Sequence, residues 1–181
     1  MPLIQARACG VGLQWFAALL IRDGSRPTRC TVAAGASTPV EATIAGAKYH
    51  ISPKEITWQQ AQDACKAFGG TLASAISAQL AEQITDKVSS ELPTIYHYWL
   101  GGLIKGTSWS WVDGSQWSYT RWLPGEPNGF LQNEHCVSAR ARPASDPYNS
   151  GWNDNSCDSK LGFVCRLGKR PLTLHLACCP A

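Results

Sequence analysis

Five side chains in the second half of the sequence carry oxygen donors at a spacing that suits a hard metal ion: Glu126, Asn128, Glu134, Asn153 and Asp154. Glu126 and Asn128 flank Pro127, Glu134 stands two residues before Cys136, and Asp154 stands three before Cys157. Carboxylate and carboxamide oxygens suit Ca2+, which gathers roughly 6–8 of them, far better than they suit zinc or iron. A bond between Cys136 and Cys157 would pull the two halves of the set together. A cis peptide at Pro127 would aim Glu126 and Asn128 the same way, whereas a trans extended peptide points neighbouring side chains apart. The bland alternative is a solvated loop face, where charged residues usually sit. Ordered placement around two cysteines favours ligation over that alternative. No GxSxG elbow, HExxH helix or phosphate-cradling glycine loop occurs, so an enzyme is not expected.

What surrounds these residues bounds the rest. The 181 residues suit one domain with extensions at its ends, and a hydrophobic content of 44% excludes a disordered chain. Sixteen basic and thirteen acidic residues give a net charge of +3 without a basic stripe, which argues against a nucleic-acid partner. Cysteines at 9, 30, 65, 136, 157, 165, 178 and 179 form no CxxC pair, so disulfides and an oxidising compartment are expected rather than zinc. The apolar run Ala8–Ile21 is too short to span a bilayer, which needs about 20 residues, and makes an atypical signal peptide because Gln14 and Trp15 interrupt it. Secretion is expected, and a membrane span is not. Residues 1–47 read as an N-terminal extension with a linker from Gly35 to Ala47, and 168–181 as a tail.

The elements that must position the donors lie between Lys48 and residue 167. Thr57 and Gln60 form a capping box ahead of Trp58, Ala61, Cys65 and Phe68, which predicts a helix over Thr57–Phe68. Ser77 caps a second helix carrying Leu80, Ile84 and Val88, which ends before Pro93. Short β-type runs follow at Tyr98–Leu103, Trp109–Val112, His135–Ala139 and Phe163–Arg166. The stretch from Gly114 to Asn133 is long for a connection, and long loops in compact domains tend to be functional.

Between Tyr49 and Arg166 the chain resembles the C-type lectin-like domain family. The resemblance rests on Cys65, Trp99-Leu100-Gly101, Trp111-Val112-Asp113-Gly114, Trp122 ahead of Gly125-Glu126-Pro127-Asn128, Trp152-Asn153-Asp154 and Phe163-Val164-Cys165. Any one tripeptide is weak; the ordered set is specific. It implies an α+β double-loop fold with two helices, small antiparallel sheets and a long loop bearing the site. It implies disulfides Cys65–Cys165 and Cys136–Cys157. It implies one Ca2+ held by Glu126, Asn128, Glu134, Asn153 and Asp154, which together contact a sugar of the mannose type (mannose, N-acetylglucosamine, glucose or fucose). The family's auxiliary calcium site is not expected, because Leu103–Trp111 contains no acid, Gly129 follows Asn128, and His135 follows Glu134.

Other residues have plainer readings. Trp58, Trp99, Trp111 and Trp152 are expected in the core, with Trp109, Trp117, Tyr119 and Tyr148 left open. Phe130 and Leu131 follow the Glu-Pro-Asn motif and either touch a ligand or pack under the loop. His135 is read as a strand residue whose charge could tune calcium affinity, and Lys169-Arg170 as exposed charge. Cys9, Cys30, Cys178 and Cys179 fall outside the family pattern; the adjacent Cys178 and Cys179 cannot easily bond to each other, so their partners are Cys9, Cys30 or a second chain, and an oligomer through them is open. The competing function is a lectin-like fold that binds a protein or mineral surface without sugar.

Overall fold

The computed structural model describes residues 9–10, 15–16, 38–130, 133–142 and 150–168. The chain divides into two units, Met1–Ala36 and Ser37–Ala181. In the first, strands β1 (Cys9–Gly10) and β2 (Trp15–Phe16) pair antiparallel, Cys9 opposite Phe16. The side chain of Cys9, together with Cys30, Leu131, Tyr148, Lys169, Arg170, Cys178, Cys179 and most of the 168–181 tail, lies outside the described residues.

The second unit opens on a hairpin of β3 (Val40–Ile44) and β4 (Ala47–Ile56). Ile44 faces Ala47 across a turn in which Ala45 and Gly46 take φ of 48° and 75°. Two consecutive left-handed residues are what a two-residue hairpin needs, and glycine adopts that conformation freely while alanine does so at a cost. Within the stretch read as a linker, residues 40–47 are instead strand and turn: Ala-Gly lacks the usual Asn-Gly signal, and only the paired partner strand makes Val40–Ile44 extended. Strand β4 was hidden for a related reason, because Pro53 interrupts it. Its ladder with β10 (Leu161–Leu167) places Ser52 opposite Phe163 and Ile56 opposite Leu161, so Pro53 falls in the irregular stretch between, where its missing N–H breaks no regular pair.

Helix α1 (Trp58–Ala67) starts where the capping box places it: the Gln60 N–H donates to Thr57 Oγ1 at 3.3 Å and the Thr57 N–H to Gln60 Oε1 at 3.1 Å. After the short strand β5 (Gly70–Leu72), α2 (Ala78–Glu91) begins at the Ser77 cap. Strands β6 (His97–Lys105), β7 (Ser108–Trp111), β8 (Glu134–Arg140) and β9 (Trp152–Ser156) complete the unit. The strand order is β3-β4-β10-β6-β8-β9, with β5 on β10 and β7 on β6. All pairs in it are antiparallel except β10 with β6, which aligns Gly162 with Tyr98 and Phe163 with Trp99. Four expected strand runs lie within β6, β7, β8 and β10 to within a residue; β3, β4, β5 and β9 were not anticipated.

Two buried indoles stitch helix to sheet. Trp58 Nε1 donates to the Leu100 carbonyl at 2.8 Å and Trp99 Nε1 to the Ile56 carbonyl at 2.9 Å, so each ring is buried without stranding its donor. The Cys65–Cys165 disulfide ties α1 to β10 among Trp58, Leu72, Trp99 and Phe163. All four tryptophans expected in the core are buried there.

At the first residue of β6, His97 faces Arg140 of β8 and stacks on Tyr96 at 4.7 Å, and Arg142 lies 5.0 Å over the Tyr96 ring. Burial first, and the Arg140 charge second, push its pKa down to about 4. The imidazole stays neutral in the fold while an unfolded chain takes up a proton below about pH 6.5, so stability is lost as pH falls through that window toward about 4. His97→Gln is expected to flatten the pH dependence of the urea midpoint between those limits; an unchanged slope would assign the acid sensitivity elsewhere.

Candidate functional site

Strand β9 decides where the donors sit. Residues alternate across a strand, so Trp152 and Asp154 share the inward face and both are buried, while Asn153 lies between them half-exposed. Trp152 sits in an aromatic cluster, edge-on to Trp111 at 5.5 Å, to Trp122 at 5.8 Å and to Tyr119 at 5.7 Å, with Trp117 also at 5.8 Å. Trp109 joins it through Trp122 at 5.0 Å. Trp109, Trp117 and Tyr119 thus pack against the core. Within the described part of the loop, residues 114–130, the chain is held by the aromatic cluster it crosses.

That loop is zipped onto β9 by backbone bonds. The Leu123 N–H donates to the Trp152 carbonyl at 2.9 Å and the Trp152 N–H donates to the Arg121 carbonyl at 2.6 Å. Gly151 permits the approach, since a Cβ there would meet the Arg121 carbonyl oxygen at 2.9 Å. Arg121 also donates to Ser150 through Nε and Nη2 and reaches Glu82 of α2 at 3.4 Å, fixing the loop base to helix and strand. From this base the chain runs out to Glu126, joined to Pro127 by a cis peptide bond.

Of the five expected donors, Glu126 and Asn128 lie at the loop tip, Glu134 at the start of β8 and Asn153 and Asp154 in β9, opposite Ser138 and Val137. Asp154 Oδ1 accepts from the Asn128 N–H at 3.0 Å and Oδ2 from the Gly129 N–H at 2.7 Å. The Phe130 N–H is shared by Asn128 Oδ1 at 2.8 Å and Glu134 Oε2 at 3.1 Å. Asn153 Nδ2 donates to the Asp154 carbonyl at 2.6 Å. Glu126 is held less well: its Oε2 is buried with no hydrogen-bond partner. Burial, contact with the Asp154 carboxyl and the charges of Asp154 and Glu134 push its pKa up, against a smaller lowering by the Asn128 backbone.

The donors fit a hard divalent cation in kind. They are oxygens throughout, three are acids of which Asp154 and Glu134 raise the cost of ionising Glu126, and one buried oxygen lacks a partner. Among the described residues, no cluster of three or more His, Cys, Asp or Glu side chains is already gathered as a metal cage. Asp154, Asn128 and Glu134 each accept from the loop's own N–H groups. A carboxylate oxygen has room for more than one such contact.

Sequence reasoning did not anticipate Arg121 and Ser150 as the loop's anchor, the shared Phe130 N–H, or Trp152 as the hub of the aromatic cluster. Only the last had a local signal, the glycine placed before a tryptophan. His135 is an exposed residue of β8 beside Glu134, and Phe130 is 65% exposed.

Comparison with known proteins agrees with this architecture. The family model described as Lectin C-type domain matches residues 54–167. C-type lectin lectoxin-Phi1 of Philodryas olfersii is 36% identical over 116 residues, covering 61% of this chain and 70% of that protein. Among solved structures, the carbohydrate-recognition domain of cow CD23, determined in the presence of a GlcNAc2Man3 oligosaccharide, is 29% identical with a TM-score of 0.59, covering 72% of this chain and 95% of that one. A calcium-independent type II antifreeze protein is 25% identical, also with a TM-score of 0.59, over 71% of this chain and 95% of that one.

The Cys136–Cys157 disulfide joins β8 to the turn after β9 across a separation of 21 residues, holding Glu134 and Asp154 on adjacent strands. Replacing both cysteines by serine is expected to cost about 3 kcal/mol of stability by loop-closure entropy. Urea unfolding of the double variant measures it, and peptide mapping of the unreduced protein should recover this bond together with Cys65–Cys165.

Proposed function

The chain belongs to the C-type lectin domain family, and we propose that it is a secreted, calcium-dependent carbohydrate-binding protein selecting mannose-type sugars. The observation that carries this reading is the state of Glu126: a buried, unpartnered carboxylate oxygen whose ionisation is opposed by Asp154 and Glu134. A single cation at that point would relieve the repulsion and complete the oxygen's coordination. We assign Glu126, Asn128, Glu134, Asn153 and Asp154 as its ligands. Two disulfides suit an oxidising compartment, and among the described residues no helix is long and apolar enough to cross a membrane.

Calcium bound there would offer coordination to two neighbouring hydroxyls of one sugar ring. This chain's residues then divide the hydroxyls' hydrogen bonds. Glu126 and Glu134 accept the hydroxyl protons, and the amides of Asn128 and Asn153 donate to the hydroxyl oxygens. With the acceptor before Pro127 and the donor after it, the order suits equatorial 3- and 4-hydroxyls, as in mannose, N-acetylglucosamine and glucose, with fucose accommodated by its own vicinal pair. Galactose presents an axial 4-hydroxyl. One mismatched buried polar group costs roughly 1–3 kcal/mol, or about tenfold in affinity.

A second reading, binding of a protein or mineral surface without sugar, draws support from the way Asp154, Asn128 and Glu134 already bond to the loop backbone. Under it calcium would change nothing. Retention on mannose-agarose in Ca2+ with release by EDTA separates the two: passage through the column in both conditions favours the second.

Two further outcomes are expected. Calorimetry should give one Ca2+ per chain, with affinity falling as pH drops, because protons compete for the carboxylates and burial with the neighbouring acids already holds the Glu126 pKa up. Glu126→Gln should weaken calcium about tenfold or more through loss of a charged ligand. In competition assays mannose should displace bound glycan about tenfold better than galactose. The double change Glu126→Gln with Asn128→Asp keeps the carboxylate count while reversing acceptor and donor, and should move the preference toward galactose; a preference for galactose in the unmodified protein would overturn the assignment.

A further inference from the structure

Away from the loop tip, where β4, the start of β10 and the chain entering β6 meet, the surface encloses a cavity of about 470 Å3. That volume is within the range of small-ligand sites, roughly 300–1,000 Å3. An interrupted ladder opens it: between the pairs Ser52–Phe163 and Ile56–Leu161, β4 carries Pro53, Lys54 and Glu55 while β10 carries Gly162 alone. Bulged strands bend, and bulges are over-represented beside binding sites. Pro53 and Leu161 give the cavity apolar lining, and Tyr96 and His97, stacked at 4.7 Å, form another part of its wall. The polar groups there are short of partners. His97 is half-buried, yet its imidazole makes no hydrogen bond among the described residues, and burial together with Arg140 keeps it uncharged. The Glu55 carboxylate and the Thr94 hydroxyl, also in the lining, are without a hydrogen bond or ion pair among them. An uncharged imidazole offers one donor and one acceptor, and leaving them unmatched costs free energy that a ligand recovers.

Charge narrows what the cavity takes. Glu55 in its lining opposes an anion, while Arg140 opposite His97 and Arg142, 5.0 Å over the Tyr96 ring, oppose a cation. A neutral molecule with apolar surface and several hydroxyls suits it best. A pyranose with all substituents equatorial has that shape: its hydroxyls lie around the rim and C–H groups cover both faces. We propose that this cavity is a second saccharide subsite, independent of calcium, that takes one neutral pyranose of β-glucose configuration. Glu55, Thr94 and His97 share its hydroxyls, and Pro53, Leu161 and the Tyr96 ring cover a C–H face. The subsite goes beyond the loop-tip reading and stands apart from it. Arg140, the strand partner of His97, is six positions after Glu134 on β8, so about 20 Å separates the two places. Two sugars of one branched glycan set that far apart reach both, which raises avidity without any change at either site.

Nuclear magnetic resonance titration of the isotope-labelled full chain with methyl β-glucopyranoside in EDTA tests the proposal. The ring resonances of Tyr96 and His97 should move together, with a dissociation constant on the order of 1 mM, as suits a ligand of this size. Tyr96→Ala should weaken binding about tenfold or more. Glu55→Ala, at an exposed position that folding does not rely on, should weaken it about fivefold or more. No response at Tyr96 and His97, shifts confined to the loop tip, or unchanged affinity in both variants overturns the subsite. A stronger response of His97 to sodium sulfate than to the glucoside overturns the choice of a neutral ligand. Because calcium is absent throughout, failure here leaves the loop-tip reading standing, and failure of calcium-dependent retention on mannose-agarose leaves this subsite standing.

Discussion

Everything at the loop tip depends on β9 presenting Trp152 and Asp154 on one face. Trp152 is gripped by aromatic rings from β7 and the long loop, and its backbone N–H and carbonyl hold Arg121 and Leu123. Two residues on, Asp154 is 1% exposed and takes the Asn128 and Gly129 N–H groups. The strand thus clamps the loop twice, once by hydrophobic burial and once by charge-assisted hydrogen bonds. Slipping the strand by one residue would turn both side chains to solvent and release the loop entirely.

The same arrangement concentrates negative charge. Asp154 is buried but well supplied with donors; Glu126 is half-buried and has one oxygen with none. Backbone amides alone therefore satisfy one acid at the expense of another. Such imbalance has little structural use, since an apolar residue at position 126 would fill the space without a desolvation penalty. A positive charge entering the site would offset that penalty, and this turns a set of acids in a loop into a functional hypothesis with a physical basis.

The legible parts of the chain were those where one local signal dominates. Thr57 with Gln60, and Ser77, marked helix starts because capping is decided within four residues. The two disulfide pairs were recognisable through resemblance rather than through any single spacing. What escaped were elements whose conformation is imposed from outside. Val40–Ile44 is extended because β4 pairs with it, Ala45 accepts a left-handed φ because the hairpin closes there, and Pro53 survives in β4 because the ladder is already irregular at that point. Trp152–Ser156 is polar and short, and reads as loop until its partner β8 is known. The Arg121 anchor joins residues 29 and 39 positions apart, beyond any local pattern.

Burial also separates what the fold needs from what binding needs. Of the five donors only Asp154 is buried; Glu126, Asn128, Glu134 and Asn153 are half-buried or exposed, and none belongs to either hydrophobic cluster. The Cys65–Cys165 bond, the Trp58 and Trp99 indoles and the parallel β10–β6 pair would survive replacement of all four. A fold of this construction can keep its core while its loop chemistry diverges. That is consistent with a sugar-recognition domain and a calcium-independent antifreeze protein matching this chain with the same TM-score. Shared architecture is therefore weak evidence for a particular ligand, and the weight falls on the identities at positions 126, 128, 134 and 153. In the sugar-binding reading proposed above, those four would supply two acceptors and two donors around a buried aspartate, a pattern that the hydrophobic core itself does not require.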